Sequence, residues 1–159
     1  MGKFNNKIQA EFNPPRKWIL SRILTYTNPD INEDALERVG VEVKGSKITV
    51  KKDFVTDLAS VPRMCWAVIA PWDVARAAII HDLLYKRIRQ YRAKNENLEG
   101  VNNEELRIKY NAAKRAADDV FLMAMLDAQP SVPKWKIYSA YWSVRLFGYW
   151  SIVPNEDNI

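Results

Sequence analysis

Between Val74 and Ile88, apolar residues recur at the three- and four-residue spacing of one helix face. The stripe is Val74, Ala77, Ala78, His81, Leu84, Tyr85 and Ile88. Ile79, Ile80 and Leu83 carry apolar surface almost round the helix. A helix apolar on nearly every side has to be buried, so the rest of the chain must supply layers to cover it. Asp73 is its expected N-cap, and the pattern predicts a helix to about Gln90.

The covering layers are legible on both sides. Asn103, Glu104 and Glu105 open a second helix that runs to about Ala128, with Leu106, Tyr110, Ala113, Ala117, Val120, Phe121 and Ala124 as its buried stripe. The polar segment Lys94 to Gly100 reads as an exposed loop, short enough to make the two helices antiparallel neighbours. Ser131 before Pro133 starts a third helix that ends at Gly148.

Upstream, the pattern is β. Lys7 to Phe12 and Trp18 to Thr27 carry β-branched and aromatic residues, broken by Pro14-Pro15, and Asn28-Pro29-Asp30 is turn chemistry. Val41 to Val50 predicts a hairpin about Gly45-Ser46, with Val43 opposite Ile48 and Val41 opposite Val50 on one buried face. The expectation is an α+β fold: a small antiparallel N-terminal sheet with a hairpin, then three main helices. It forms one domain over 1–159, mainly β over 1–55 and mainly helical over 56–148, with a tail at 149–159.

Bulk properties bound the function. Hydrophobic residues make up 48% of the 159, which suits a globular core and excludes a disordered chain. The single cysteine, Cys65, permits no internal disulfide and fits a chain made in a reducing compartment. The first twenty residues show no signal peptide, and no stretch is long and apolar enough to span a bilayer. The net charge of +5 favours anionic partners without naming one. Lys86, Arg87, Arg89, Arg92 and Lys94, with Tyr85 and Tyr91 among them, read weakly as a patch for nucleic acid or anionic lipid. A solvated helix end suited to the macrodipole is the commoner meaning of such a run.

Chemistry gathers where polar groups interrupt the apolar stripes. His81, the only histidine, sits mid-stripe, and Asp82 beside it is a carboxylate in hydrophobic company. A lone histidine there is more often a satisfied core residue than a catalyst. An adjacent buried carboxylate, however, needs a metal, a cation or several donors. Thr56-Asp57-Leu58-Ala59-Ser60-Val61-Pro62-Arg63 forms a second polar cluster. Asp57 stands equally as the cap of a short helix, a metal ligand or an orienting carboxylate. Asp118, at the edge of the second helix's stripe, is expected near His81 or Tyr85 once the helices pack antiparallel. Asp57, His81, Asp82 and Asp118 are expected to share one polar cluster, with a cation, Arg63 or ordered water satisfying them together.

The motifs TDLASVPR at 56–63, HDLLY at 81–85 and ADDVF at 117–121, in that order, resemble the phage and prophage family known as domain of unknown function 1353. The strand Lys47 to Phe54 and a tail with Tyr141 and Gly148 fit the same pattern, so the resemblance spans about Trp18 to Gly148. It implies a phage gene and a product made in the host cytoplasm, with no settled activity.

The His-Asp-x-x-Tyr helix facing an Ala-Asp pair is, more weakly, similar to the catalytic helices of phospholipases of the A-two type. That similarity implies His81 as the base that activates water, Asp82 as a calcium ligand, Tyr85 as hydrogen-bonded to Asp118, and Asp118 as the group orienting His81. The family's glycine-rich calcium loop is absent, since residues 64–72 hold no glycine, and its disulfides are absent too. Asp57 would have to replace the loop as a ligand, with Thr56, Ser60 and Arg63 nearby.

Two functions follow. One is a hydrolase using His81, Asp118 and Tyr85, assisted by calcium or magnesium on Asp82 and Asp57. The other is a non-catalytic virion or host-interaction protein that meets other phage proteins or a host factor through aromatics such as Trp135, Tyr138 and Trp142.

Overall fold

The computed structural model describes residues 1–5, 7–15, 17–56, 74–96, 98–156 and 159. The β part divides into two three-stranded antiparallel sheets. One pairs β1 (Lys3–Phe4), β4 (Leu24–Thr27) and β5 (Lys47–Val50), in that order. The other pairs β2 (Ala10–Asn13), β3 (Lys17–Leu20) and β6 (Val55–Thr56).

The run from Trp18 to Thr27 is thus two strands, parted at Ser21–Ile23. There the backbone turns from one sheet to the other, and its polar groups are met by loops. Leu20 N–H donates to Phe54 O, and Ser21 N–H donates to Gln9 O. No glycine or proline marks this bend, so the uniform β-propensity of the run conceals it.

The hairpin keeps its predicted turn and loses most of one arm. Gly45 and Ser46 both have positive φ, at 60° and 56°, the geometry of a two-residue turn that matches strand twist. Val43 bridges Ile48, and Val41, Val43, Ile48 and Val50 are all buried as the register required. Val41, however, is drawn away: its N–H donates to Leu36 O at the end of a short helix, α1 (Glu33–Glu37). The long partner of β5 is β4, with Leu24 opposite Val50 and Tyr26 opposite Ile48. The sequence reading missed α1, which Asn32 caps by accepting from Ala35 N–H. Glu33 of α1 accepts from both the N–H and the hydroxyl of Ser46, holding the turn.

Three main helices follow: α2 (Ala75–Asn95), α3 (Asn103–Leu126) and α4 (Lys134–Phe147). The N-cap position of α2 is Val74, which makes no side-chain cap, while the expected cap Asp73 lies outside the described residues. Asn102 caps α3 by accepting from the N–H groups of Glu104 and Glu105, and Gly148 ends α4. α2 and α3 run antiparallel, since His81 meets Asp118 at one end of their contact and Arg92 stacks on Tyr110 at the other. α3 and α4 are also antiparallel, with Asp119 bonded to Tyr141 and Lys114 to the carbonyl of Val144. One apolar cluster draws on the first sheet, α1 and all three long helices. α2 lies at its centre, as its all-round apolar surface demands. The fold is α+β. No helix among the described residues is long and apolar enough to cross a membrane.

Part of the basic run on α2 is turned inward. Arg89 and Arg92 donate to the carbonyls of Ser151 and Ile152, clasping a 3₁₀ turn (Trp150–Ile152) back onto α2. Lys86 lies over the Phe54 ring, and Arg87 bonds Gln90.

Candidate functional site

α2 and α3 each present an apolar stripe to the other, and each stripe carries one polar interruption at the same height. The interruptions meet. His81 Nε2 is 3.1 Å from Asp118 Oδ1, and the Tyr85 hydroxyl donates to the same oxygen at 2.7 Å. His81 and Asp118 have no exposed surface. The imidazole packs against the tilted rings of Tyr85, at 4.0 Å between centroids, and Phe121, at 4.8 Å. Asp118 therefore does contact both His81 and Tyr85 across an antiparallel pair.

Two cations that sequence reading overlooked complete the cluster. Lys114 Nζ donates to Asp118 Oδ2 at 2.8 Å and to Val144 O at 3.1 Å. Arg145 of α4 places its guanidinium 3.5 Å from the same carboxylate oxygen. Lys114 stands four residues before Asp118, a spacing at which helical side chains meet, so the sequence held a signal for it. Nothing in the sequence marks Arg145, which arrives through the packing of α4 on α3.

The electrostatics define the histidine's tautomer. Burial works against the charge on Asp118, but the hydrogen bonds of His81 and Lys114 and the Lys114 charge outweigh it and hold the carboxyl below its ordinary value. An ionised carboxylate only accepts, so Nε2 of His81 carries the proton that faces Asp118. Burial lowers the His81 pKa, outweighing the opposite pull of Asp118, and the ring is neutral at neutral pH. Burial and the Asp118 charge raise the Tyr85 pKa, which keeps its hydroxyl a donor. Nδ1 of His81 then carries a lone pair and no proton. Among the described residues it is the buried side-chain nitrogen or oxygen without a hydrogen-bond partner. Gly148 lets the helices close over this cluster: a Cβ there would collide with the Tyr85 hydroxyl and with Val144 O.

This arrangement predicts a pH-dependent stability. The unfolded chain protonates His81 near its ordinary value of 6.5, whereas the fold keeps it neutral to lower pH. The unfolded state thus binds the extra proton first. The stabilisation is complete above about pH 6.5 and is lost as the pH falls toward the depressed folded value. Asp118 adds loss in the same direction below its ordinary 3.8. His81 is the only histidine. Urea unfolding should therefore show stability declining between pH 7 and 5, with the decline flattened in His81→Gln. An unchanged slope in that variant would contradict the assignment.

Asp82 turns to another element. It accepts the hydroxyl of Thr56 at the end of β6, joining two of the predicted site residues. Asp57, Ser60 and Arg63 lie outside the described residues. Among the described residues, no group of three histidine, cysteine or acidic side chains gathers to hold a metal ion. Asp82 and Thr56 supply a carboxylate and a hydroxyl, short of the six to eight oxygens, roughly, that calcium takes. These residues alone do not make a calcium site.

The family described as "Protein of unknown function (DUF1353)" matches residues 36–144, which is more than half of the chain. The chain belongs to the DUF1353 family. No curated protein and no solved structure matches it. The DUF1353 match runs from within α1 to Val144 of α4 and so contains His81, Asp82, Tyr85, Lys114 and Asp118 together.

Proposed function

We propose that this protein is a phage-encoded hydrolase that cleaves an ester in a phospholipase-like manner, with His81 as general base. The observation that carries the reading is that Nδ1 of a neutral, fully buried imidazole, whose other nitrogen is bound to a carboxylate, meets no hydrogen-bond partner among the described residues. In this reading a water bonded to Nδ1 attacks the ester carbonyl as its proton passes to the ring. Asp118 orients the ring and offsets the imidazolium charge while it lasts, and Tyr85 holds Asp118 in place. The proton then goes to the departing alkoxide, leaving acid and alcohol and restoring neutral His81. Calcium or magnesium on Asp82 is a separate component of the proposal, and no step above runs through it. Its check is thermal unfolding of wild type and Asp82→Asn with and without calcium.

The test is hydrolysis of short-chain esters and of phospholipid by wild type, His81→Asn and Asp118→Asn. Loss of the base should lower the rate about a hundred- to ten-thousand-fold. Full activity in His81→Asn would exclude the mechanism.

One observation favours the alternative, a non-catalytic virion or host-interaction role. Both His81 and Asp118 are sealed from solvent, as in a cluster that serves only helix packing. That reading expects no ester to be cleaved. His81→Ala should then only lower stability, by about 1–3 kcal/mol for the polar partners it strands.

A further inference from the structure

α4 and the chain beyond it carry a surface that the His81 cluster does not use. Trp135, Trp142, Leu146, Phe147 and Trp150 are each between 57% and 73% exposed. Trp135, Trp142 and Leu146 recur at seven and four residues and so form one line along α4, opposite its buried residues Ile137, Ala140 and Val144. Phe147 widens the line, and Trp150 extends it past the helix end. A continuous apolar surface of this breadth marks a site of interaction.

Charge says what kind. No aspartate or glutamate occurs from 128 to 155, in a chain that has 19 of them. The charged residues in that stretch are Lys134, Lys136 and Arg145, and the two lysines flank Trp135. A shallow groove of about 540 Å³ adjoins the surface at Tyr149, where Arg115 and the exposed Ile108 of α3 line it together with the ion pair of Arg107 and Glu104. The surface is therefore aromatic and aliphatic at its centre and cationic at its edges.

We propose that this face docks on an anionic lipid bilayer. Tryptophan and tyrosine favour the level of the headgroups, apolar side chains enter the acyl boundary, and lysine or arginine at the rim meets anionic lipid. A second copy of the chain fits less well, because self-pairing would bring the lysines of two α4 faces together, and the stretch from 128 to 155 has no carboxylate to meet them. A protein groove takes one ridge of a helix, which would leave Phe147 and Trp150, off the line of Trp135, Trp142 and Leu146, uncovered. Nucleic acid needs more cations in register with its phosphates than this face offers. The proposal does not depend on ester hydrolysis, since a binding protein without catalysis would dock in the same way.

The experiment is co-sedimentation of the full chain with vesicles of phosphatidylcholine, alone or mixed with phosphatidylglycerol, alongside tryptophan emission. Binding should be at least about tenfold stronger to the mixed vesicles, with a blue shift of the emission, and should weaken with added salt. Trp135→Ser with Trp142→Ser should abolish most of it. Lys134→Glu with Lys136→Glu should weaken it roughly tenfold or more. All four positions lie on the surface of α4, so unfolding midpoints should stay near wild type. If the tryptophan variant fails to fold, Leu146→Ser and the lysine variant carry the test. No binding to the mixed vesicles, or binding undiminished in the variants, overturns the proposal. So does a wild-type dimer that the tryptophan substitutions dissociate while vesicles capture neither form, which would make the face a self-association surface.

Discussion

Asp118→Ala should destabilise the protein by about 3–5 kcal/mol, the cost of breaking a buried ion pair from one side. Asp118 Oδ2 receives the Lys114 ammonium at 2.8 Å, and Lys114 is itself buried. Removing the carboxylate leaves that charge, among the described residues, with the Val144 carbonyl as its hydrogen-bond acceptor. It also strands the Tyr85 hydroxyl and the His81 Nε2 proton, which both point at Oδ1. Asp118→Asn keeps an acceptor and should cost less. Adding Lys114→Met to Asp118→Ala should recover part of the loss, because the second change removes the charge that the first one strands. Urea unfolding of the two single variants and the double variant measures this. A loss below about 1 kcal/mol for Asp118→Ala, or strict additivity in the double variant, would show that the cluster is not a coupled unit.

Phe121→Ala should be comparably costly, about 3–5 kcal/mol, for a different reason. Its ring is fully buried at the α2–α3 seam, and its centroid lies 4.8 Å from that of His81. Truncation opens a cavity beside the imidazole, and two long packed helices collapse only partly to fill it. Phe121→Leu retains most of the volume and should cost about 1 kcal/mol. The proposed hydrolysis gives a second readout: a loosened His81 ring should lower the ester rate in Phe121→Ala beyond what the unfolded fraction accounts for. A denaturation midpoint within error of wild type would mean that Phe121 does not seal the cluster.

The contact of His81 and Tyr85 with Asp118 was legible because it depends on helical periodicity alone. Each of the three residues lies in or at the edge of an apolar stripe, and a short polar loop obliges the two stripes to face each other. Lys114 was equally legible at four residues from Asp118, and it was overlooked because a lysine among alanines reads as solvent-facing. The β half resisted reading for the opposite reason. A period of two says which residues of a strand are buried but not which strand it joins. Leu20 and Leu24 are both buried, so the run from Trp18 to Thr27 looked continuous, although its halves belong to different sheets. α1 is five residues long, too short for a periodic signal, and only its Asn32 cap announces it.

By itself, the sequence determined that α2 is central, that α3 lies antiparallel to it, and that a histidine, a tyrosine and an aspartate share their seam. Those outcomes follow from local spacing and from the cost of leaving apolar stripes or buried polar groups uncovered. Tertiary structure alone decided which partners complete the cluster. Arg145 reaches Asp118 only because α4 docks on α3, and Thr56 meets Asp82 only because β6 ends beside α2. It also decided that His81 Nδ1 meets no hydrogen-bond partner among the described residues, because hydrogen-bond satisfaction depends on every element packed round an atom and on no single segment of chain.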